Sequence, residues 1–433
     1  MDQVNLQVNG NQVINSTDKT TEIPLNLTVN TNNKTGYTAT LNSETDETAL
    51  VNNDSTYGAK INSISTSLSL NNLPNNSWGY KFGSSTNYAP IPALSIPAQI
   101  LQTTGKTSSN ETSSIKIGMK LSDNLESGRY DNKLIFSVVT NPYTPKAVMT
   151  KGWDFNTKLR SLETATNKIE HFKKSTVAPA ASVNAVNIED EESDYEIKLW
   201  LDPTDKTAYY YTEPEKVYLN TNSSGMFAFM SNLATLNLFN FDTSKVTNMH
   251  AMFYGMTKLA ALDLSNFNTS QVQDMSSMFS GVFNLITTLN LSSFDTSKVT
   301  SMNAMFHNMH NLTALDLSNF NTSKVTDMSY MFSNMHNLTT LDLSSFNTSK
   351  VTSMSAMFTL SYYDELDDKL ETIYVNNDFN TTNLTYSYGM FGNRKKLRGG
   401  AGSYLTDPST ADKTWLRIDD PANGRPGYFT RKP

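Results

Sequence analysis

Histidines and evenly spaced aspartates are the first candidates for chemistry in this 433-residue chain. His310 and His336 occupy the same position of a repeat, 26 residues apart. A stacked imidazole pair can ligate a metal, but no third ligand recurs with them, so two surface histidines are expected. The other three histidines are His171, His250 and His307. The acidic run Glu189-Asp190-Glu191-Glu192-Ser193-Asp194 lacks the glycine and the graded oxygen spacing of a calcium loop. It reads as a solvated linker. No glycine-rich phosphate loop, serine elbow or zinc spacing occurs. With no cysteine, thiol chemistry and a disulfide scaffold are excluded. Nothing brings together an acid, a base and a nucleophile, so the expectation is no enzyme, no cofactor and no metal site.

The aspartates belong to a larger pattern. The string F-[DN]-T-S recurs at Phe241, Phe267, Phe294, Phe320 and Phe346, at spacings of 26, 27, 26 and 26. A Met-Phe pair follows each one, at Met252, Met278, Met305, Met331 and Met357, and a looser copy sits at Phe379 with Met390-Phe391. One fixed period means stacked, nearly identical units. Stacking would align Asn237, Asp263, Asn290, Asp316 and Asp342 in one outward column, and Ser265, Ser292, Ser318 and Ser344 in the next. Such rows offer acceptors and hydroxyls at a fixed pitch. They are the candidate ligand face, for an extended polymer or a basic protein patch. The row Lys245, Lys298, Lys324 and Lys350, broken by Gln271, reads as a solvated loop edge.

The elements that must carry these rows follow from two periods. In the clearest copy, Leu315 and Leu317 alternate with Asp316 and Ser318, which is a short strand with one buried face. Val325, Met328, Met331, Phe332 and Met335 then fall at helical spacing, with Thr322 and Ser323 ahead of them as helix N-cap types. Each unit is expected to be strand, turn and short helix. Seven rungs at roughly 4.8 Å would make one parallel sheet about 30 Å long. The expected core includes Phe267, Phe294, Phe320 and Phe346 stacked on one another.

The stretch LDLSNFNTSKVTDMSYMF resembles the bacterial surface protein 26-residue repeat, the BspA-type leucine-rich repeat of surface proteins and lipoproteins, over about residues 194–433. The resemblance implies export, a leucine-rich-repeat-like solenoid, an adhesive or binding role and no enzyme activity. Two features depart from the pattern. Phenylalanine replaces the asparagine that follows the strand in the familiar leucine-rich repeat. Met256, Val282, Met309 and Met335 stand where many copies carry cysteine.

The remainder divides around this array. Residues 1–145 alternate as antiparallel strands, as at Leu25, Leu27 and Val29 or Ile115, Ile117 and Met119, and make a β-sandwich the expected fold. The stretches NNSWGYKF and SGRYDNKLIFSVVTN are similar to β-modules of exported bacterial surface proteins. Trp78, Tyr80 and Tyr88 are candidates for a sugar platform or for core plugs. Residues 146–193 read as a connector, 194–224 as a β-hairpin cap, 225–391 as the solenoid and 392–433 as a C-terminal cap. The sixth repeat carries an insertion around Ser361-Tyr362-Tyr363-Asp364, and Arg394-Lys395-Lys396-Leu397-Arg398 reads as a solvated capping loop. The fold class is therefore mixed: an antiparallel sandwich followed by an α/β solenoid with a parallel sheet and β caps.

A net charge of −7 and a pI near 5.3 argue against a nucleic-acid binder. No run of 18 apolar residues occurs, so no membrane-spanning helix is expected. The chain opens Met1-Asp2-Gln3 without an apolar leader, and the expectation is a mature extracellular portion with leader and anchor outside it. Taken together, the leading reading is a monomeric, non-enzymatic surface protein that binds an extracellular protein or glycan. A spacer or surface-layer component is the second reading. Ice or mineral binding ranks lower, because the column Thr235, Ala261, Thr288, Ala314 and Thr340 alternates with alanine.

Overall fold

A computed structural model describes residues 4–8, 19–55, 57–282, 286–361 and 368–433. The chain is β-rich, with several sheets, and divides into two compact units, Met1–Thr144 and Pro145–Pro433. The inserted residues 362–367 lie outside the described residues.

In the first unit, alternating sequences pair as strands. These are β1 (Val4–Val8), β2 (Thr20–Thr31), β3 (Tyr37–Ser43), β4 (Leu50–Asn52), β5 (Lys60–Ser63), β6 (Ser77–Phe82), β7 (Ala98–Gln102), β8 (Glu111–Lys120), β9 (Tyr130–Asp131) and β10 (Leu134–Thr140). They pair antiparallel except for β5 and β6, which run parallel. One sheet runs β1-β2-β8-β6-β5-β4-β9 and the other β10-β3-β7. The register Leu25↔Ile115 puts apolar partners on one face. Leu41 of β3 shares a core with Ile61, Trp78 and Ile117 of the larger sheet, and Tyr37 and Ala39 share another with Leu27, Val29 and Ile115. Trp78, Tyr80 and Tyr88 are all buried and offer no sugar platform. Tyr88 packs on Gly118, where an added Cβ would come within 2.4 Å of the ring.

Residues 146–193 are not a connector: Met149, Phe155, Leu159, Ile169, Phe172 and Ile188 are fully buried in the same core as the repeats. They supply α1 (Gly152–Ser161), β11 (His171–Lys174) and β12 (Val186–Asn187). A hairpin follows, β13 (Lys198–Asp202) and β14 (Thr207–Tyr211). β11 lies parallel to β14 on one side and to β16 (Thr235–Leu236) on the other, so it stands between the hairpin and the first repeat strand. The acidic run is also ordered: Glu189 accepts from the Ile197 backbone N–H and Asp190 from the Asn220 amide.

The repeats do not form one continuous sheet. β15 (Val217–Tyr218) pairs with β17 (Phe241–Asp242), β18 (Thr288–Leu289) with β19 (Ala314–Leu315), and β20 (Thr340–Asp342) with β21 (Thr372–Val375), which pairs with β22 (Phe429–Arg431). All these pairings are parallel. A second parallel ladder of single bridges links Asn222, Asn248, Asp274, Ser301, Asp327, Ser353 and Tyr386. Extended runs are short because each repeat turns three corners. In one repeat Asp316, Asn321 and Asp327 each accept, through Oδ1, the backbone N–H two residues on, from Ser318, Ser323 and Ser329. These side-chain turns spend one Asx residue per corner.

The expected helix is also absent: α1 is the sole α-helix among the described residues. The stretch Met302–Met309 shows what replaces it. Met302, Ala304, Phe306 and Asn308 donate their N–H groups to Asp327, Ser329, Met331 and Ser333 of the next repeat. Met305, His307 and Met309 donate within the turn, three residues back. Left-handed residues make this alternation possible, at Ala304 (φ 53°) and Asn308 (φ 61°) here and at Ala251 with Gly255, Ser277 with Gly281 and Tyr330 with Asn334 elsewhere. The inward residues still recur at i, i+3, i+4 and i+7, as in a helix, so Met, Met, Phe and Met reach the core.

The phenylalanine stack is likewise different from the one expected. The rings that stack are those of the Met-Phe pairs: Phe253, Phe279, Phe306 and Phe332 lie 5.9 Å apart, within 11° of parallel. Phe267, Phe294 and Phe320 are buried but tilt against this column at 6.3–6.5 Å, and Phe346 does so from a partly buried position.

Candidate functional site

The candidate face is set by the residues that follow each repeat strand. Leu264, Leu291, Leu317 and Leu343 point inward and are buried, which turns the residues on either side of them outward. Asn237, Asp263, Ser265, Asn290, Ser292, Asp316 and Ser318 are exposed. Their first task is local. Asp263 accepts the Ser265 N–H at 2.9 Å, Asn290 the Ser292 N–H at 3.0 Å, and Asp316 the Ser318 N–H at 2.9 Å. Asn237 does the same for Phe239, at 3.1 Å. The Ser265 backbone N–H, and then its side chain, hold the Asp263 carboxyl below the ordinary carboxylate range; Ser318 does the same for Asp316.

The far end of the row differs from the expectation. Asp342 and Ser344 are half-buried rather than exposed. Lys432 reaches back from the C-terminal segment to Asp342 Oδ2 at 2.6 Å and to Ser344 Oγ at 3.2 Å. Burial pushes the Asp342 carboxyl up, but the Lys432 and Ser344 hydrogen bonds outweigh it and the net shift is downward. Asp342 is therefore already paired. The row open to a ligand runs from Asn237 to Ser318.

His310 and His336 stack at 4.2 Å between ring centres, but His336 is buried, not exposed as expected. Among the described residues no group of three His, Cys, Asp or Glu is placed to hold a metal ion. The basic cluster divides. Lys395, Lys396 and Arg398 are exposed, whereas Arg394 is buried and ion-pairs with buried Asp368 at 3.0 Å. Its guanidinium also donates to the carbonyls of Phe332, Met335 and Phe358, in two successive repeats.

The threonine of F-[DN]-T-S, expected from Thr322 to cap a helix, has another role. Thr243, Thr269, Thr296, Thr322 and Thr348 are buried. Thr322 Oγ1 donates to the Asn347 carbonyl at 2.9 Å and accepts the Asn347 N–H at 2.8 Å. The pattern repeats at Thr269 with Asp295 and at Thr296 with Asn321. The invariance of this threonine across the copies was the available signal. It caps the neighbouring repeat, not a helix of its own.

The repeats match a family model described as Mycoplasma protein of unknown function, DUF285, over residues 221–315 and 281–404. The two matches together span the repeats and less than half of the chain. This places the sequence alongside a repeat family of unassigned activity. No curated protein and no solved structure matches the chain. No helix among the described residues is long and apolar enough to cross a membrane.

Proposed function

We propose that this chain is a non-enzymatic binding protein of a bacterial cell surface, of the BspA-like type. Its repeats form a leucine-rich-repeat-like solenoid that acts as the recognition surface, and its first unit is a β-sandwich serving as stalk. The observation that carries this reading is the exposed row Asn237, Asp263, Asn290 and Asp316 with Ser265, Ser292 and Ser318 beside it. Oδ1 of each Asx residue is engaged by its own turn, so the second side-chain atom remains for a partner at a pitch fixed by the rungs. An extended extracellular protein segment or glycan meets such a row at several points. The spacer reading draws on the same geometry, because Asn237 and Asn290 turn the corner without any charge.

Binding to a glycan array and to a panel of extracellular proteins separates the two. The variant to compare is Asp263→Asn with Asp316→Asn, which keeps both turns and removes both charges. Saturable binding that the double variant loses, at unchanged melting temperature, supports the strand face. No saturable partner in either screen favours the spacer.

A further inference from the structure

Another face of the repeats holds a feature that the strand row does not use. The residues next to the single-bridge ladder are mostly small and polar: Asn303, Ser329 and Ser355 in successive copies. At the C-terminal end three tyrosines interrupt them. Tyr330, Tyr386 and Tyr388 are 47%, 64% and 90% exposed. The backbone ties their rungs together: Tyr330 N–H donates to the Ser355 carbonyl at 2.9 Å, Met354 N–H to Tyr386 at 2.8 Å and Ala356 N–H to Tyr388 at 2.9 Å. Ala356 thus lies between the Tyr330 rung and the Tyr388 rung, which are two rungs, or about 10 Å, apart.

Tyr330 is unusual in a second way. Its φ of 58° is left-handed, and the same position elsewhere is Gly225, Ala251, Ser277, Ala304, Ala356 or Gly389. A bulky side chain is strained there, and such strain persists at sites where it serves a purpose. Packing does not supply that purpose: the ring is half-exposed, with His307 edge-on at 6.2 Å.

The surroundings select the ligand. Within residues 327–330, 353–356 and 386–389 the one charged side chain is Asp327, whose Oδ1 already accepts the Ser329 N–H at 2.8 Å. Burial holds His307 below its ordinary pKa and so disfavours its charged form. Flat aromatic faces among neutral hydroxyls suit a ligand that is apolar on one side and ringed with hydroxyls.

We infer that Tyr330, Tyr386 and Tyr388 form a stacking platform for a neutral sugar ring of an oligosaccharide, with Ser353 and Ser355 beside it as hydrogen-bonding groups. This site is separate from the Asp–Ser row and does not depend on it.

The test titrates the full chain with neutral cello-, chito-, malto- and manno-oligosaccharides by calorimetry. At least one series is expected to bind saturably. Tyr386→Ala and Tyr388→Ala are each expected to weaken it about tenfold or more at unchanged melting temperature. Tyr330→Gly is expected to lose binding while its melting temperature holds or rises, since glycine relieves the left-handed strain. That combination distinguishes a binding role from a structural one. The proposal is overturned if no series binds at millimolar concentration, or if binding survives all three changes. Sugar binding lost in Asp263→Asn with Asp316→Asn but kept in the tyrosine variants also overturns it, and leaves the strand face as the binding surface. Concentration-dependent self-association that Tyr388→Ala abolishes, without sugar binding, overturns it in favour of a second copy as occupant.

Discussion

The buried threonine does more for this array than its size suggests. Its hydroxyl meets both backbone groups of one residue in the next repeat, in a partly buried position. Thr322→Val keeps the shape and removes both bonds. It leaves the Asn347 N–H and carbonyl unpaired, so the expected loss is about 1–3 kcal/mol in urea melts. Phe320→Ala removes a ring packed 6.5 Å from Phe306. Its expected cost is about 3–5 kcal/mol, and a loss under about 1 kcal/mol would mean that the ring contributes little to the core. The two effects differ in kind: the first leaves polar groups unmet, the second leaves a cavity.

At the scale of the element, each repeat is a ribbon with Asx corners, three of them where Asn248, Asp274 or Asp327 stands in the bridge ladder and two where Ser301 or Ser353 does. Aspartate and asparagine serve equally well as acceptors there, as the alternation Asp263, Asn290, Asp316 indicates. They differ in acid. The folded-state pKa of Asp263 and Asp316 lies below the ordinary 3.8. Each carboxylate therefore contributes stability that is present in full above the unfolded value and is lost as pH falls through the lower folded value. Asp263→Asn with Asp316→Asn should melt like the parent chain at neutral pH and lose less melting temperature as the pH falls below about 4. Melting curves across that range check it. An identical acid profile would show that these corners do not depend on the charge.

For the molecule as a whole, the ends of the stack are the weak points, because each unit buries its apolar face only against neighbours. At the N-terminal end β11 pairs with the first repeat strand, and the β13–β14 hairpin extends the sheet beyond β11. Towards the C-terminal end Arg394 ties the stack together, reaching three carbonyls in two successive repeats and paired with Asp368. Arg394→Met strands the Asp368 carboxylate in the interior, and about 3–5 kcal/mol is the expected loss. Arg394→Met combined with Asp368→Leu should recover part of it, since no charge is then left unpaired. Equal melting for the single and double variants would show that the pair does not act as a unit. Truncation before Arg394 should expose the last repeat and promote aggregation, measurable by light scattering.

The period, the buried Leu, Val, Met and Phe positions, and the two outward columns were all legible in the chain, because each repeat copies the same local pattern. The Asp and Ser positions at 263–265 and 316–318 follow from period-two alternation alone. The helix did not survive, and the reason is geometric. Inward residues at i, i+3, i+4 and i+7 satisfy an α-helix and this left-handed-punctuated ribbon alike. In an isolated segment each N–H would seek the carbonyl four residues back; here the next repeat presents a carbonyl at the right height, and Ala304, Phe306 and Asn308 donate to it. Gly255, Gly281, Asn308 and Asn334, each at the same place and each tolerant of positive φ, were the visible hint. The pairing of Lys432 with Asp342, the burial of Arg394 and the insertion of β11 beside the first repeat strand join residues far apart in the chain. Such contacts have no local signature, so only the tertiary structure decided them.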